Sequence, residues 1–255
     1  MIVSTDAIVL RSMKYGETSK IVTLYSQKFG KITVIAKGAR SAKSRFGASL
    51  EPMTYSSAIL YKKEERDLHL LSKCEIAKPY LKFGGNGDKL ATGLALVELV
   101  NMVMHDEEEN LPMFALLVES LEAVDLASKN VMNIFFAFQL RLLEIFGYGL
   151  NLHNCSRCGR DILDDRYVEP VFLHLADGSV MCSDCHSSSN AGGIKMPREM
   201  VRSLFRLQSL PIASIDEVKL APALRDEILA VLYTYLKYHI AGVRTLKSLS
   251  LFTNV

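Results

Sequence analysis

The 255-residue chain has no long uncharged apolar run. Its most apolar stretch, Val131–Phe146, carries Arg141 and Glu144 and is too short and too charged to span a bilayer, which takes about 20 nearly uncharged residues. It predicts a buried helix instead. Met1–Leu10 lacks a positive segment followed by a long apolar one, so no export signal is expected and the predicted compartment is the cytoplasm. Catalytic signatures are missing too: no G-x-S-x-G, H-E-x-x-H or paired-carboxylate motif occurs. Asp106–Glu109 places four carboxylates on adjacent residues, which point in different directions and predict a solvated interhelical loop. Gly38-Ala39-Arg40-Ser41-Ala42-Lys43-Ser44 follows a strand-like segment as a phosphate-binding P-loop does. The required glycine before the lysine is Ala42, however, and no amphipathic helix opens after Ser44. ATP binding and enzymatic turnover are therefore not expected. Repeats and low-complexity tracts are absent.

What is present is an ordinary globular composition with uneven charge. Apolar residues make up 49% and charged residues 23%. The net charge of +2 hides an asymmetry: residues 1–80 hold 14 Lys/Arg against 7 Asp/Glu, leaving 16 against 21 for the remainder. A basic N-terminal module joined to a mildly acidic remainder is a nucleic-acid footprint.

Residues 6–78 read as short strands. Ala7–Leu10, Lys20–Tyr25 and Lys31–Ala36 are rich in Val, Ile, Thr and Tyr; after a loop at 38–50, Thr54–Tyr61 and Leu68–Ile76 alternate again. In the last of these, Leu68, Leu70, Ser72 and Cys74 are predicted on one face, with His69, Leu71 and Lys73 on the other. Five strands in so short a span predict a small closed barrel of the OB type. Gly84–Gly87 is a breaker cluster and an expected domain junction. Helical periodicity follows over Lys89–Met104, Met113–Leu126 and Val131–Phe146, the last apolar almost all round and so predicted at a bundle centre. Pro197 is placed to start a helix over Arg198–Gln208. A last helix over Ala223–Ile240 has Leu224, Ile228, Val231, Leu232, Tyr235 and His239 on its inner face. The predicted class is α+β multidomain: an OB-fold barrel (1–80), a helical domain (81–152), a cysteine module (153–192) and the helical domain continued (193–255).

Five cysteines occur, and four form two C-x-x-C pairs, Cys155/Cys158 and Cys182/Cys185, separated by 23 residues. In a reducing compartment that spacing favours a metal over disulfides. Gly159 permits a tight turn after the first pair, and a hairpin through strand-like Tyr167–Leu175 returns the second. This is a zinc-ribbon pattern. Four protein thiolates leave no coordination position for water, so the expected single Zn²⁺ is structural. His153 and His186 flank the pairs as lesser alternatives, and Cys74 is expected in a buried strand.

The second concentration of chemistry is Lys28–Arg45, which holds Lys28, Lys31, Lys37, Arg40, Lys43 and Arg45 and no acid. Gly38, Ala39, Ser41, Ala42 and Ser44 are small enough for the backbone to approach phosphates that the cations neutralise. Arg11 and Lys14 are expected nearby, completing a DNA-binding set of Arg11, Lys14, Lys37, Arg40, Lys43 and Arg45. Tyr15, Tyr25, Phe29, Phe46 and Tyr61 are candidate base-stacking partners.

Several of these segments together resemble the RecO family of bacterial DNA-repair proteins over nearly the whole chain. Ala7–Tyr25 looks like the family's opening strands and Gly30–Ser44 like its basic loop. Phe138–Gly149, leading into Cys155-x-x-Cys158-Gly159, is similar to its central helix and zinc module, and the Leu246–Leu251 region also fits. One departure is Asp177-Gly178-Ser179, where many relatives carry a glycine pair; it affects a hairpin turn and not the ligands. The resemblance implies an OB-fold followed by a helical domain with an inserted zinc finger. It implies binding of single- and double-stranded DNA in the nucleoid, ATP-independent annealing and help in loading recombinase. RecR and the acidic C-terminal tail of the single-strand-binding protein are the implied partners. The competing reading of the residues alone is a zinc-containing protein–protein adaptor with an incidental basic loop.

Overall fold

In the computed structural model, which describes residues 1–62, 67–80, 83, 85–189 and 192–251, the N-terminal strands close into a barrel. The strands are β1 (Ile2–Tyr15), β2 (Ser19–Ser26), β3 (Gly30–Ala36), β4 (Tyr55–Tyr61) and β5 (Leu68–Lys78). Their order around the barrel is β1-β2-β3-β5-β4, with β4 returning to β1. Only β3 and β5 run parallel; every other pair is antiparallel. That is the five-stranded OB arrangement.

Strand β1 serves two partners. Ile2–Ile8 pair with β4, while Ala7–Tyr15 pair with β2. A bulge between Val9 and Arg11 lets the strand turn from one partner to the other. Beyond it, Arg11–Tyr15 pair with β2 alone, and the β1–β2 ribbon they form stays joined to β3 through Lys20–Thr23, which pair with Thr33–Ala36. A second bulge, between the Ile59–Lys73 and Leu60–Leu71 pairs, leaves Ser72 without an opposite residue. It shifts the phase of β5. His69, Leu71 and Cys74 are buried while Leu68 is exposed, so the predicted grouping of Leu68, Leu70, Ser72 and Cys74 on one face is incorrect. An extra residue moves everything beyond it to the other side of the sheet.

The barrel core holds Ala7, Val9, Val22, Leu24, Ile32, Val34, Ala58, Leu60, Leu71 and Cys74. Phe46 and Leu50, from the β3–β4 connection, complete it. The helices α1 (Gly87–Val103) and α2 (Leu111–Leu126) follow. Asn86 caps α1 by accepting from the Lys89 N–H at 3.0 Å, and Asn110 does the same for the Met113 N–H of α2 at 2.9 Å. Phe114 of α2 packs on Tyr25 and Tyr55 on the barrel exterior, with ring centroids 6.3 and 6.2 Å apart. The expected loop at 106–109 lies between α1 and α2 with all four residues exposed, and it also docks on the barrel. Glu107 donates its N–H to Lys31 O at 2.8 Å and accepts from Lys62 Nζ and, at 2.9 Å, from His69 Nε2. Asp106 pairs with Lys31 at 3.2 Å. Gly30 makes room for this strap: at φ +61°, a Cβ there would lie 1.9 Å from Glu108 O.

By internal packing, residues 1–126 and the segment from Thr245 onward form one compact unit, and residues 127–244 form another. Within the first, Glu98 of α1 accepts from Lys247 N, Ser248 N and Ser248 Oγ. Burial pushes its carboxyl up, but these donors hold it below the usual carboxylate range. Gly85–Gly87 of the expected junction lie inside this unit, and residue 84 is outside the described residues.

The second unit is centred on α3 (Met132–Ile145), whose Phe135, Phe136 and Phe138 are fully buried. A four-stranded sheet follows, of order β6-β8-β7-β9: β6 (Asn151–Cys155), β7 (Val171–Leu173), β8 (Ser179–Cys182) and β9 (Ile194–Met196). The short α4 (Ser183–Ser187) leads out of β8. Pro197 opens α5 (Arg198–Ser209), and Pro222 is the first residue of α6 (Pro222–His239). The predicted inner face of α6 is buried except for His239, which is half-buried.

Candidate functional site

Two clusters carry chemistry, one in each unit. The first is the basic loop after β3. Gly38, at φ +71°, turns the chain out of the strand. The Ser41 N–H and Oγ both donate to Gly38 O, at 3.1 and 2.8 Å, and Ser44 Oγ accepts from the Phe46 N–H at 3.2 Å. Phe46 then drops into the barrel and fixes the far end of the loop. Arg40 ties the middle of the loop to the β1–β2 turn. Its N–H donates to Thr18 O at 2.8 Å, and its Nη1 donates to Gly16 O at 3.1 Å. Loop and ribbon tip are thus one surface.

Arg11, Lys14, Lys37, Arg40, Lys43 and Arg45 are all exposed, and among the described residues none pairs with a carboxylate. Arg45 lies over the Phe46 ring, 5.5 Å from its centroid. Cross-strand rows separate two of the six. Lys14 stands opposite Lys20, which stands opposite Ala36 of the core, so Lys14 is on the side continuous with the barrel mouth. Arg11 belongs to the row of Thr23 and Thr33, on the outer side. Lys28 and Lys31 are committed internally, to Ser4 O and to Asp106 and Asn101 O. Tyr25 and Phe46 are buried, which removes them as stacking candidates; Phe29 is half-buried, and Tyr15 and Tyr61 are exposed.

The second cluster is the four cysteines. The first pair sits on a knuckle at the end of β6. Cys155 N–H donates to Arg160 O at 2.8 Å, the Gly159 N–H donates to Cys155 O at 2.9 Å, and Gly159 takes φ +72°. Cys182 ends β8, and Cys185 lies in the turn of α4 that follows. Two arginines bind the knuckles together: Arg157 donates to Cys185 O at 3.1 Å, and Arg160 pairs with Asp184 at 2.9 Å. All four sulfurs lie within 4.8 Å of one another, with Cys158 and Cys182 Sγ 3.8 Å apart.

That geometry fits a tetrahedral ion. Sulfurs about 2.3 Å from a centre stand about 3.8 Å apart along a tetrahedron edge. Charge points the same way. Burial alone pushes the Cys155 thiol up, but N–H donors from Cys158, Cys182 and Arg157 outweigh it and bring it to about 6. Cys185 is pushed up to about 12, first by the adjacent Cys182 sulfur and then by burial. Thiolates this close repel, and a cation among them supplies the compensating charge. His153 and His186 are not among the converging donors; the His186 ring stacks on Phe172 at 3.7 Å instead. Of the predicted strand-like Tyr167–Leu175, only Val171–Leu173 is paired. The Tyr167 ring is buried, and its hydroxyl donates to Pro170 O at 3.1 Å.

Comparison with known proteins covers both units. The family model "Recombination protein O N terminal" matches residues 1–80, and "Recombination protein O C terminal" matches residues 84–250. The protein named DNA repair protein RecO of Salinibacter ruber is 34% identical over 246 residues, spanning 93% of this chain and 88% of its own. Those of Chlorobium limicola and Chloroherpeton thalassium are 30% and 27% identical. They cover 94% and 100% of this chain, and 93% and 99% of their own length.

Proposed function

Because this chain belongs to the RecO family, we propose that it is a DNA-repair protein that binds DNA without catalysis. The observation that carries the reading is the set of exposed cations, free of carboxylate partners, on a loop locked to the β1–β2 turn. Lys14, Lys37, Lys43 and Arg45 contact phosphates from the barrel mouth. Arg40 contacts them while also positioning the loop, and Arg11 contributes from the outer side of the ribbon. Contacts to phosphate and not to base edges make binding tolerant of sequence. Neutralising two strands at one surface lowers their repulsion and raises their local concentration. Annealing then needs no ATP, because base pairing supplies the free energy. Single and double strands are both ligands. RecR, the tail of the single-strand-binding protein, recombinase loading and a place in the bacterial nucleoid belong to the same reading.

Zinc is the ion we assign to Cys155, Cys158, Cys182 and Cys185. Four thiolates at tetrahedral spacing suit it, and a closed site holds structure and performs no chemistry. Bound there, the ion fixes the β6 knuckle to the end of β8.

The test is strand binding and annealing without ATP over a range of salt. Four to six neutralised phosphates on a single strand give a slope of log affinity against log salt of roughly −3 to −4, at about −0.7 per contact. Arg40→Ala with Lys43→Ala should flatten the slope by about 1.4 and slow annealing in parallel. Arg11→Ala should flatten it by at most about 0.7. A doubly substituted protein that is folded and keeps the wild-type slope and annealing rate would show that the loop is not the DNA site.

A further inference from the structure

The second unit exposes rings in a way the metal module does not explain. Tyr148 lies in the turn after α3, and its N–H donates to Leu143 O at 2.7 Å beside Gly147 at φ +82°. Its ring stacks on His239 of α6, with centroids 4.3 Å apart and planes 23° apart. His239 is fixed by its own hydrogen bond, Nε2 to Leu175 O at 2.7 Å. Tyr235 and Tyr238 each meet the same imidazole in an edge-type contact, with centroids 4.6 and 5.0 Å apart. Tyr235 is itself wedged at Gly178, where a Cβ would lie 2.3 Å from its hydroxyl. Three separate elements therefore hold one ring cluster still.

The cluster is not closed over. Tyr148 is 38% exposed although His239 covers one of its faces, and Tyr238 is 57% exposed. Apart from Val168, these two are the only exposed large hydrophobic residues among the described residues of this unit. A groove for a protein partner would expose aliphatic side chains beside the rings. Here, Val168 apart, the exposed large hydrophobic residues are the two rings alone. The two nearby acids are engaged within the unit: Glu144 accepts from Gln208 Nε2 at 2.7 Å, and Asp177 accepts from the N–H and Oγ of Ser179. Lys237 adds a cation in the last turn of α6.

We propose that Tyr148 and Tyr238, held by His239, form a stacking platform for unpaired bases of single-stranded DNA, separate from the phosphate-binding loop. The proposal rests on DNA being the ligand of this chain. It assigns the two surfaces different chemistry: the loop reads phosphates, and the platform reads the flat faces that only an unpaired strand presents. Stacking is indifferent to sequence, since every base has such a face.

The chain contains no tryptophan, so Tyr148→Trp places a single reporter on the platform. A single-stranded oligonucleotide should quench its fluorescence; a duplex of the same length, or an abasic strand with the same phosphates, should not. Tyr148→Ala with Tyr238→Ala should lower single-strand affinity about tenfold and leave duplex and abasic-strand affinity and the salt slope unchanged. Tyr238→Ala alone removes a largely exposed ring and serves as the version least able to disturb folding, with a loss of a few-fold. Wild-type affinity in both variants together with no quenching would overturn the platform. So would an equal loss on duplex or abasic strand. Failure of the loop reading looks different: the salt slope survives the cation substitutions whatever the tyrosines do.

Discussion

The barrel and the cysteine module are both sheets, yet they are held by different means. The barrel strands run 7 to 14 residues, and each pairs on both sides around a sealed apolar core. The strands of the module run 3 to 5 residues, and β6 reaches β8 with a break in register between Asn151 and Cys155. Its ladders are short, so fewer backbone bonds offset what ordering its chain costs. Its converging cysteines also join the ends of β6 and β8, whereas the barrel's core is closed by Phe46 and Leu50 of the basic loop's own connection and not by the exposed cations. Ligand and fold are coupled in one region and independent in the other.

The largest effect should come from breaking that coupling. Cys158→Ser, or chelation, should remove the zinc we assign there, an ion whose binding is worth on the order of 10 kcal/mol in small thiolate modules. Hydrogen exchange should then accelerate across residues 151–189 while the strands of the barrel keep their protection. Uniform loss of protection in both regions would refute the contrast, and elemental analysis of the untreated protein should show one zinc per chain. Phe46→Ala is the reciprocal change. Emptying this plug should cost about 3–5 kcal/mol, read as a lower denaturant midpoint, with the zinc content unaltered.

The smallest effect sharpens the comparison within the barrel unit. Lys62, first of all, and His69 hold the Glu107 carboxyl below its ordinary value despite some burial. A carboxylate so depressed contributes stability above the ordinary glutamate range near pH 4.3 and loses it as pH falls through the folded value. Its side chain is 39% exposed, so solvent screens the pair. Glu107→Gln should lower stability by under about 1 kcal/mol at neutral pH. Denaturant midpoints of variant and parent should converge below the carboxylate range; a gap that persists there would remove the charge from the explanation.

Much of this was legible before any coordinates. Alternation located all five barrel strands, because each has one face in a sealed core. Periodicity located the five long helices, and spacing alone brought together the four cysteines. What failed has physical causes. Bulges at Leu10 and Ser72 add residues that no alternation announces, and the second one reversed the predicted face of β5. Strands as short as Ile194–Met196 carry too few residues to show a period. Tyr25 is buried because Phe114 of α2 covers the barrel exterior there, a contact between distant segments that no local pattern contains. Lys31 looked like part of the basic loop until Asp106, 75 positions along the chain, claimed it.

The contact between Glu98 and Ser248 has a consequence for how the molecule is made. The carboxylate lies in the first unit, and its donors arrive only after the entire second unit has been synthesised. Until Lys247 and Ser248 are in place, Glu98 lacks these donors and its carboxylate is left to water. The segment that begins at Thr245 then joins α1 across 150 positions of sequence, from Glu98 to Ser248. A nicked product ending before Thr245 would carry both candidate sites and still lack the donors that hold Glu98, so this short turn ties the first unit to the continuity of the chain through the second.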